Sequence, residues 1–522
     1  MNAARTGCFV GMTRKLLPLA TAAACALLLV ACGGSGGGIV IPPPPGNGTF
    51  TNASFKGQYA FSMSGKEICG TSTSFFTRAG SITADGNGNI TGGVEDVNVC
   101  SGAFTLQFFG GSYQVSRDGR SLLILNNSTG TTHYSFTLSS PAQGTILQTD
   151  ASSSTASGTL RLQNPAAFSQ TQIAGGYVFD VSGISSTLNP LSIIGRFSAD
   201  GGGGVQNGLY DANEAGTLSG QQAFPPGSAY QMDPSFASAG RGVATLAGRN
   251  FAFYIVDATR ILLLGTDFPS ALVGEASAQQ NMSYSISSLN GSFVFQLGGA
   301  SATGPLVAGG RFTSDGAGNL ASIVLDENNN GGLTALPGAT STITGSYTVD
   351  ANALGGGTLT WTDSAAGTFS YIFYLASPTR AVFQETDSGI TSDGLFLAQS
   401  PVAVTPTTMA GNHAFAWTGA TSDEVDATGQ FTLTSAASSN LTGLMDFNAF
   451  SAGVQYYDVG LSGALSLGAI PAGRNDLSVT ANSAAFPPST FHFAAYSVDA
   501  NTVLLVGTDT NRVLAGATQR QP

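Results

Sequence analysis

The segment DGNGNITGGVEDVN, residues Asp85–Asn98, joins a turn signal to a strand signal. Asp and Gly favour a tight hairpin loop, because Gly adopts positive φ without strain, and the residues after it alternate as in a β-strand. The phrase returns as DGGGGVQNGLYDAN (Asp200–Asn213) and DGAGNLASIVLDEN (Asp315–Asn328), and a shorter form, SSNLTGLMDFN, ends at Asn448. Four copies of one hairpin and strand predict a repeated all-β unit.

Two other phrases repeat with the same period. GQYAFSMSG, which begins at Gly57, has counterparts that begin at Gly175, Gly291 and Gly411. A later phrase is written ILQTD, LLGTD, FQETD and LVGTD, and it ends at Asp150, Asp267, Asp387 and Asp509. Solenoid repeats are about 20–50 residues long, so units of this length are domains in tandem. We expect four β domains, at residues 54–170, 171–287, 288–405 and 406–522.

The sequence pattern of each unit predicts an antiparallel meander, in which successive strands are joined by short hairpins. In the first unit, strands are expected near residues 58–64, 75–84, 89–99, 103–108, 111–116, 121–126, 132–138 and 144–149, with 158–163 as a ninth or closing strand. About eight sequential strands protect their edges best by closing, so we predict four tandem up-and-down β-barrels. The alternatives are one β-sandwich per unit, or a β-propeller in which each unit supplies two blades.

The N-terminus has the features of an export signal. Arg14 and Lys15 precede an apolar run, and Leu29-Val30-Ala31-Cys32 matches a bacterial lipobox. We therefore interpret residues 1–31 as a lipoprotein signal peptide, with Met1 or Met12 as the start, and Cys32 as the lipidation site. Residues 32–53 are rich in Gly and Pro and form a tether that links the lipid to the first domain.

Charge and composition exclude several classes of partner. Without residues 1–31 the chain carries 15 basic and 30 acidic residues, and only two of the basic residues are lysines. A protein that binds nucleic acid needs clustered Lys and Arg, so nucleic acid is not an expected partner. The expected partners are the membrane, through the lipid anchor, and envelope proteins or glycans.

Two cysteines remain outside the leader, Cys69 and Cys100. An exported protein meets an oxidising compartment, so we predict a disulfide between them. In the chain-entropy description, closing a loop of this size stabilises the fold by roughly 3–4 kcal/mol.

The Asp-x-Asn pairs recur near the end of the third strand of each unit. The pairs are Asp96 and Asn98, Asp211 and Asn213, Asp326 and Asn328, and Asp446 and Asn448. Residues two apart share a face of a strand, and counting back from Asp96 places Val94 and Ile90 on the same face. We therefore expect the pairs to point inward at a barrel mouth and to seal it by hydrogen bonds. The alternative is a Ca²⁺ site assisted by Glu95, Glu327 or Asp387.

Few residues of the sequence form a recognisable catalytic arrangement. His413 occupies the position of Tyr59 and Tyr177, which indicates a core substitution, and no pair of histidines has metal-ligand spacing. No Gly-x-Ser-x-Gly elbow lies between a strand and a helix, and the Gly-rich loops join two strands, so they lack the helix N-terminus that holds a phosphate. We expect no enzyme activity, no cofactor and no metal.

The chain resembles uncharacterised bacterial lipoproteins whose Gly-rich β units carry the phrases G-x-Y-A-F, D-G-x-G-N and D-x-N. Here Gly57–Phe61, Asp85–Asn89 and Asp96–Asn98 match them. The resemblance covers nearly all of 54–522 and implies a location in the cell envelope, with the outer membrane favoured because Gly33, not Asp, follows Cys32. It implies no specific activity. The expected function is structural or adhesive, and the alternative is a protein that binds small apolar or carbohydrate ligands inside its barrels.

Overall fold

A computed structural model describes residues 48–150, 154–280, 283–402, 405, 407–420, 423–435, 439–450, 454–467, 473–483 and 488–522. This part of the chain contains 35 β-strands, five 3-10 helices of three residues each, and no α-helix. None of its helices is long and apolar enough to cross a membrane. The predicted signal peptide and the lipidation site Cys32 lie outside the described residues.

Four sets of strands follow one another along the chain. Barrel 1 contains β1 (Lys56–Cys69), β2 (Ser72–Asp85), β3 (Asn89–Val99), β4 (Gly102–Val115), β5 (Arg120–Asn127), β6 (Gly130–Ser140), β7 (Gln143–Gln148) and β8 (Ser154–Leu162). Barrel 2 contains β9 (Ala174–Ile184), β10 (Pro190–Asp200), β11 (Val205–Glu214), β12 (Thr217–Leu218), β13 (Gln222–Ala223), β14 (Ala229–Met232), β15 (Arg241–Leu246), β16 (Arg249–Asp257), β17 (Arg260–Gly265) and β18 (Ala271–Ala278).

The second half of the chain repeats the pattern. Barrel 3 contains β19 (Asn290–Ser301), β20 (Gly304–Asp315), β21 (Asn319–Asn329), β22 (Gly332–Leu336), β23 (Ile343–Val349), β24 (Gly356–Asp363), β25 (Gly367–Ser377), β26 (Arg380–Glu385) and β27 (Ile390–Ala398). Barrel 4 contains β28 (Gly411–Ala420), β29 (Glu424–Leu433), β30 (Ser439–Ala449), β31 (Val454–Leu467), β32 (Arg474–Asn482), β33 (Ser489–Ser497), β34 (Thr502–Gly507) and β35 (Val513–Arg520).

The prediction of four antiparallel up-and-down barrels is confirmed. In barrels 1 and 4 the strands pair in chain order, and the last strand pairs with the first. Barrel 3 closes in the same way, with β22 as an extra strand beside β21. Barrel 2 is the least regular, because its β11 and β14 regions meet through one isolated bridge, Gly204 to Ala229.

The strand count in barrel 1 differs slightly from the predicted one. The segments expected at 103–108 and 111–116 form one long strand, β4, which is interrupted by a bulge between Phe108 and Gly110. The expected closing strand is β8, which pairs with β1 from Tyr59↔Leu162 to Glu67↔Ser154. Eight strands therefore close this barrel.

One aromatic residue organises each barrel interior. The Phe of the repeated opening phrase is buried in all four barrels, at Phe61, Phe179, Phe295 and Phe415. Its cross-strand partner is always a glycine, at Gly80, Gly195, Gly310 and Gly429. A Cβ at Gly80 would lie 2.7 Å from the Phe61 ring, and the other three glycines are as crowded. These glycines leave space for the ring, which packs over the bare backbone of the next strand.

Further aromatic side chains fill the barrels. Phe197, Phe312 and Phe431 are buried and contact the Phe of the opening phrase in their own barrels. His413 is fully buried and stacks on Phe431 with ring centroids 5.5 Å apart, so its interpretation as a core substitution is confirmed. Burial lowers the pKa of His413 to about 4, which keeps the ring neutral.

The four barrels make a closed cycle of contacts. The first two strands of each barrel pack against the last strands of the next: β1 and β2 on β16–β18, β9 and β10 on β25–β27, and β19 and β20 on β34 and β35. Barrel 4 completes the cycle, because β28 and β29 pack against β6–β8 of barrel 1. At this last joint Thr155 and Ser157 both donate to the Asp426 carboxylate, at 2.7 and 2.6 Å. The protein is therefore a ring of barrels with head-to-tail joints.

Candidate functional site

The Asp-x-Asn pairs lie at the joints of the ring. In β3, the alternate residues Val97 and Val99 belong to the interior of barrel 1, whereas Asp96 and Asn98 contact barrel 2. The other three pairs likewise contact the next barrel in the cycle. The prediction that the pairs point inward is therefore wrong: all four lie on the outer face of their barrels.

A β-bulge explains the error. The register of β2 and β3 shifts between Thr83 and Ala84, so Ile90 lies inside the barrel while Val94 lies on the outer surface. One extra residue reverses the alternation of side chains, and counting by two across it gives the wrong face. Barrels 2 and 3 carry a register shift in the corresponding strand pair. Strands β29 and β30 pair without one, which accounts for the one-residue shortening between Leu441 and Asp446.

The joint between barrels 1 and 2 is centred on a buried ion pair. Arg241 donates from Nε to Asp96 Oδ2 at 2.7 Å and from Nη2 to Asp96 Oδ1 at 2.8 Å. The hydroxyl groups of Tyr254 and Thr105 also donate to the Asp96 carboxylate, each at 2.6 Å. The carboxylate thus accepts four hydrogen bonds, which compensates for its removal from water.

Asn98 makes the second half of this joint. Its side-chain amide donates to the backbone carbonyls of Gly265 at 2.9 Å and Ser270 at 2.6 Å. Gly265 belongs to the repeated phrase LLGTD, two residues before Asp267. The two repeated phrases of the sequence therefore meet in space, one from each of two neighbouring barrels.

This asparagine contact is present at all four joints. The side-chain amide of each asparagine donates to the backbone carbonyl of the residue two positions before the Asp that ends ILQTD, LLGTD, FQETD or LVGTD. It also donates to at least one backbone carbonyl after that residue. The acceptors are Glu385 (3.1 Å) and Ile390 (2.8 Å) for Asn213; Gly507 (3.0 Å), Asp509 (2.9 Å) and Arg512 (2.8 Å) for Asn328; and Gln148 (2.9 Å) and Ser154 (3.2 Å) for Asn448. The asparagine fixes the register between neighbouring barrels, because its amide can reach these carbonyls in only one alignment.

The environment of the aspartate varies more. At the joint between barrels 3 and 4, Arg474 pairs with Asp326 at 2.7 and 3.1 Å, and the Tyr496 hydroxyl also donates to Asp326. At the joint between barrels 4 and 1, the fully buried Arg120 lies 3.6 Å from Asp446. Its Nη1 lies closer to Asp458, at 2.6 Å.

At the joint between barrels 2 and 3, no arginine of the described residues pairs with the aspartate of the Asp-x-Asn motif. The residue that pairs across the strands with Tyr254 is Arg241, but the residue that pairs with the equivalent Tyr374 is Gly356. Tyr374 donates to Asp211 Oδ2 at 2.7 Å, and Asp211 Oδ1 is buried without a partner. Burial raises the pKa of Asp211, and the hydrogen bond from Tyr374 opposes this only in part.

Sequence reasoning missed a third recurring contact. A glutamine follows the last strand of every barrel, and its side chain donates to backbone carbonyls of the next barrel. The contacts are Gln163 to Ile255 (2.6 Å), Gln279 to Leu375 (2.8 Å), Gln399 to Ser497 (2.9 Å) and Gln521 to Leu138 (2.7 Å). An alignment of the four unit ends would have revealed it. The joint arginines are harder to find, because hairpins of different length separate them from the repeated phrases.

The calcium alternative does not fit this geometry. At two of the joints a guanidinium group occupies the place that a cation would need, on both oxygens of the aspartate. Glu95 points into barrel 1, where it pairs with Arg78 at 3.3 Å. Within the described residues, no cluster of three His, Cys, Asp or Glu side chains is arranged to hold a metal ion.

The remaining predicted residues lie apart from the joints. Cys69 and Cys100 are neighbours, and a hydrogen bond between the two thiols, followed by burial, raises the pKa of Cys100 to about 12. The thiols are free in this structure, so the disulfide stays a prediction that mass spectrometry after alkylation without reductant would check. His133 pairs with Asp150 at 3.0 Å and His492 with Asp509 at 2.7 Å, where these aspartates also accept the backbone N–H of the histidine.

No family model and no curated protein matches the chain. Among solved structures it is similar to transferrin binding protein B from Haemophilus parasuis, with 10% identity, a TM-score of 0.20, and coverage of 73% of this chain and 82% of that one. The same protein from Neisseria meningitidis gives 9% identity and a TM-score of 0.20, covering 73% of this chain and 84% of that one. A protein of unknown function from Nostoc punctiforme gives 9% identity and a TM-score of 0.14, covering 46% and 100%. Likenesses this distant carry no argument about function.

Proposed function

We propose that this protein is a lipid-anchored, non-enzymatic component of the cell envelope, and that its four barrels serve as one rigid structural or adhesive body. The observation that carries the proposal is the closure of the ring. Each joint buries hydrogen-bonded polar side chains, and the last barrel returns to the first through Gln521 and Asn448. A closed ring resists the detachment of any one barrel, because a barrel separates from its neighbours only when both of its joints break.

The filled interiors support a structural role over ligand storage in most of the barrels. Barrels 1, 3 and 4 are packed with aromatic and aliphatic side chains that include Trp361 and Trp417, both almost fully buried. The tether expected at residues 32–53 would place this body away from the lipid surface. Its surface would then be accessible to envelope proteins or glycans.

Metabolic labelling with a fatty acid tests the anchor. The wild-type chain should incorporate label and fractionate with membranes, and Cys32→Ser should abolish both. Cys25→Ser is the matched control, because it removes another leader cysteine and should leave labelling intact. Labelling that persists in Cys32→Ser would contradict the anchor, and protease digestion of intact cells would distinguish the outer face from the periplasmic face.

A second function, ligand binding inside a barrel, is favoured by a cavity in barrel 2. A cavity of about 560 Å³ lies among the inward-facing Leu191, Ile193 and Tyr210 and the charged Glu214 and Arg249. The cavity volume falls in the range for small-molecule sites.

Sequence explains why this cavity belongs to barrel 2. Ala212 follows Asp211, and the corresponding positions hold the larger residues Val97, Glu327 and Phe447. The variant Ala212→Phe should fill the cavity with the residue that barrel 4 uses. A glycan array and a hydrophobic dye that bind the wild type but not Ala212→Phe would support this function, and equal binding to both would contradict it.

A further inference from the structure

The centre of the ring contains a cavity that none of the barrels encloses by itself. Its volume is about 450 Å³, and residues of barrels 1, 3 and 4 line it. The lining includes cross-strand pairs at equivalent positions of the three barrels: Gln143 with Arg161, Arg380 with Leu397, and Thr502 with Gln519. The corresponding pair in barrel 2 is Arg260 with Ser277.

Three guanidinium groups converge near one side of this cavity, around one ionised carboxylate. Glu275 accepts from Arg380 Nη2 at 2.6 Å and lies 3.8 Å from Arg260 Nε. Burial by itself would raise the pKa of Glu275, but the nearby Arg260 and Arg380 lower it below its usual value. The Glu275 carboxylate is therefore charged. Asp180 pairs with Glu275 across the strands, and burial followed by repulsion from Glu275 raises its pKa well above the usual range. Burial and this repulsion therefore favour the protonated form of Asp180.

Arg161 forms no ion pair within the described residues, although Glu275 and Asp257 lie near enough to oppose the lowering of its pKa. Its side chain makes no hydrogen bond there, and its Nε is buried without a partner, as is the Nε of Arg380. Desolvation, followed by repulsion from Arg260, lowers the pKa of Arg161 to about 10. A guanidinium group held in this state is costly unless an anion pairs with it.

Part of the cavity lining is aliphatic. It is formed by Leu395, Leu397 and Leu504, together with small residues of barrel 4 such as Ala414 and Ala416. Leu395 and Leu397 are only partly buried, so their side chains contribute apolar surface that the protein itself leaves uncovered. The cavity lining thus combines cationic groups with apolar surface, and Arg380 and Leu397 are cross-strand neighbours within it.

From this arrangement we infer that the central cavity binds an anionic amphiphile, namely a fatty carboxylate of medium chain length. The carboxylate pairs with the guanidinium groups of Arg161 and Arg380, whose side chains are partly exposed at the cavity. The aliphatic chain covers the leucine side chains, and burial of its CH₂ groups favours binding. The site is a property of the assembled ring, because its lining comes from barrels 1, 3 and 4.

Calorimetric titration of the purified full chain with decanoate tests the inference, with acetate and decanol as separate arms. Decanoate should bind and raise the melting temperature, whereas acetate lacks the chain and decanol lacks the charge, so neither should bind at the same concentration. Acetate that binds as tightly as decanoate would overturn the amphiphile assignment. Decanol that binds as tightly would overturn the role of the arginines, and absence of decanoate binding would overturn the site.

Two variants separate binding from folding. Arg161→Gln should weaken decanoate binding by at least about tenfold, and it should raise the melting temperature of the free protein because it removes an unpaired charge. Arg117→Gln is the matched control, since Arg117 is exposed and lies outside the cavity, and it should change neither quantity. Unchanged decanoate binding in Arg161→Gln would contradict the inference, even if that variant is less stable.

Discussion

The joints between barrels 1 and 2 and between barrels 2 and 3 share one backbone geometry but differ in one residue. Asp96 accepts four hydrogen bonds, two of them from Arg241. Asp211 accepts one, from Tyr374, because Gly356 stands where the arginine would be. The asparagine contacts are the same in both. The comparison indicates that the asparagine sets the alignment of the ring, whereas the aspartate adjusts the strength of each joint.

The largest difference is expected from removing the charge of each aspartate. Asp96→Asn leaves Arg241 beside a neutral amide, with Asp233 as its remaining ion-pair partner, so it should lower the free energy of unfolding by about 2–3 kcal/mol. Asp211→Asn removes a buried carboxylate that has no cationic partner, and it should change stability by less than about 1 kcal/mol, in either direction. Urea denaturation of the two variants and the wild type measures both effects.

The double variant Asp96→Asn/Arg241→Met is the control for this pair. If the cost of Asp96→Asn comes from the ion pair that Arg241 loses, removing Arg241 as well should restore part of the lost stability, since Asp233, its other partner, is 20% exposed and can be solvated. Equal costs for Asp96→Asn and Asp211→Asn would mean that the arginine does not distinguish the joints.

Substitution of the asparagines should cost the same stability at both joints. Asn98→Ala and Asn213→Ala each remove two hydrogen bonds to buried carbonyls of the next barrel, so each should cost about 2 kcal/mol. The same denaturation experiment measures them. A much smaller cost at one joint would show that the asparagine contact is not the common element of the ring.

The repeated phrases predicted the barrels but not the joints, for identifiable reasons. Phe61 and its counterparts lie on regular strands, where the alternation of side chains matches the buried face. The bulge beside Gly92 is a backbone feature that alternation cannot reveal, and it reversed the inferred face of Asp96. The fourth unit lacks the bulge, and its shorter spacing between Leu441 and Asp446 was the available clue. Contacts between barrels, such as Asp96 with Arg241, join residues 145 positions apart and leave no local pattern.

Restoring the missing arginine should make the weaker joint resemble the stronger one. Gly356→Arg places a guanidinium group opposite Tyr374, where it can reach the bare oxygen of Asp211. The new Cβ would lie 2.5 Å from Asp350 Oδ2, a flexible side-chain end that can move and pair with the arginine. We expect a gain of about 1–2 kcal/mol.

Gly356→Met is the matched control, since it adds comparable bulk without charge and should give no gain. The combination Gly356→Arg/Asp211→Asn should lose the benefit of the arginine. A gain that survives in this double variant would assign the effect to Asp350 and not to Asp211.

The smallest effect expected is a pH dependence of the free energy of unfolding that arises at the joint between barrels 2 and 3. The folded-state pKa of Asp211 is raised above its unfolded value of about 3.9, chiefly by burial, and Asp350 adds repulsion. As pH rises above about 4, the unfolded chain releases this proton before the folded chain does, so the free energy of unfolding falls until the pH passes the folded pKa. The wild type should therefore lose stability relative to Asp211→Asn over this window, by about 1.4 kcal/mol per unit of pKa difference. Denaturation of both proteins at several pH values between about 4 and 8 measures the difference.

The Gly356→Arg variant should show a smaller pH dependence, because the guanidinium favours the ionised carboxylate, and an unchanged dependence there would show that the titrating group is not Asp211.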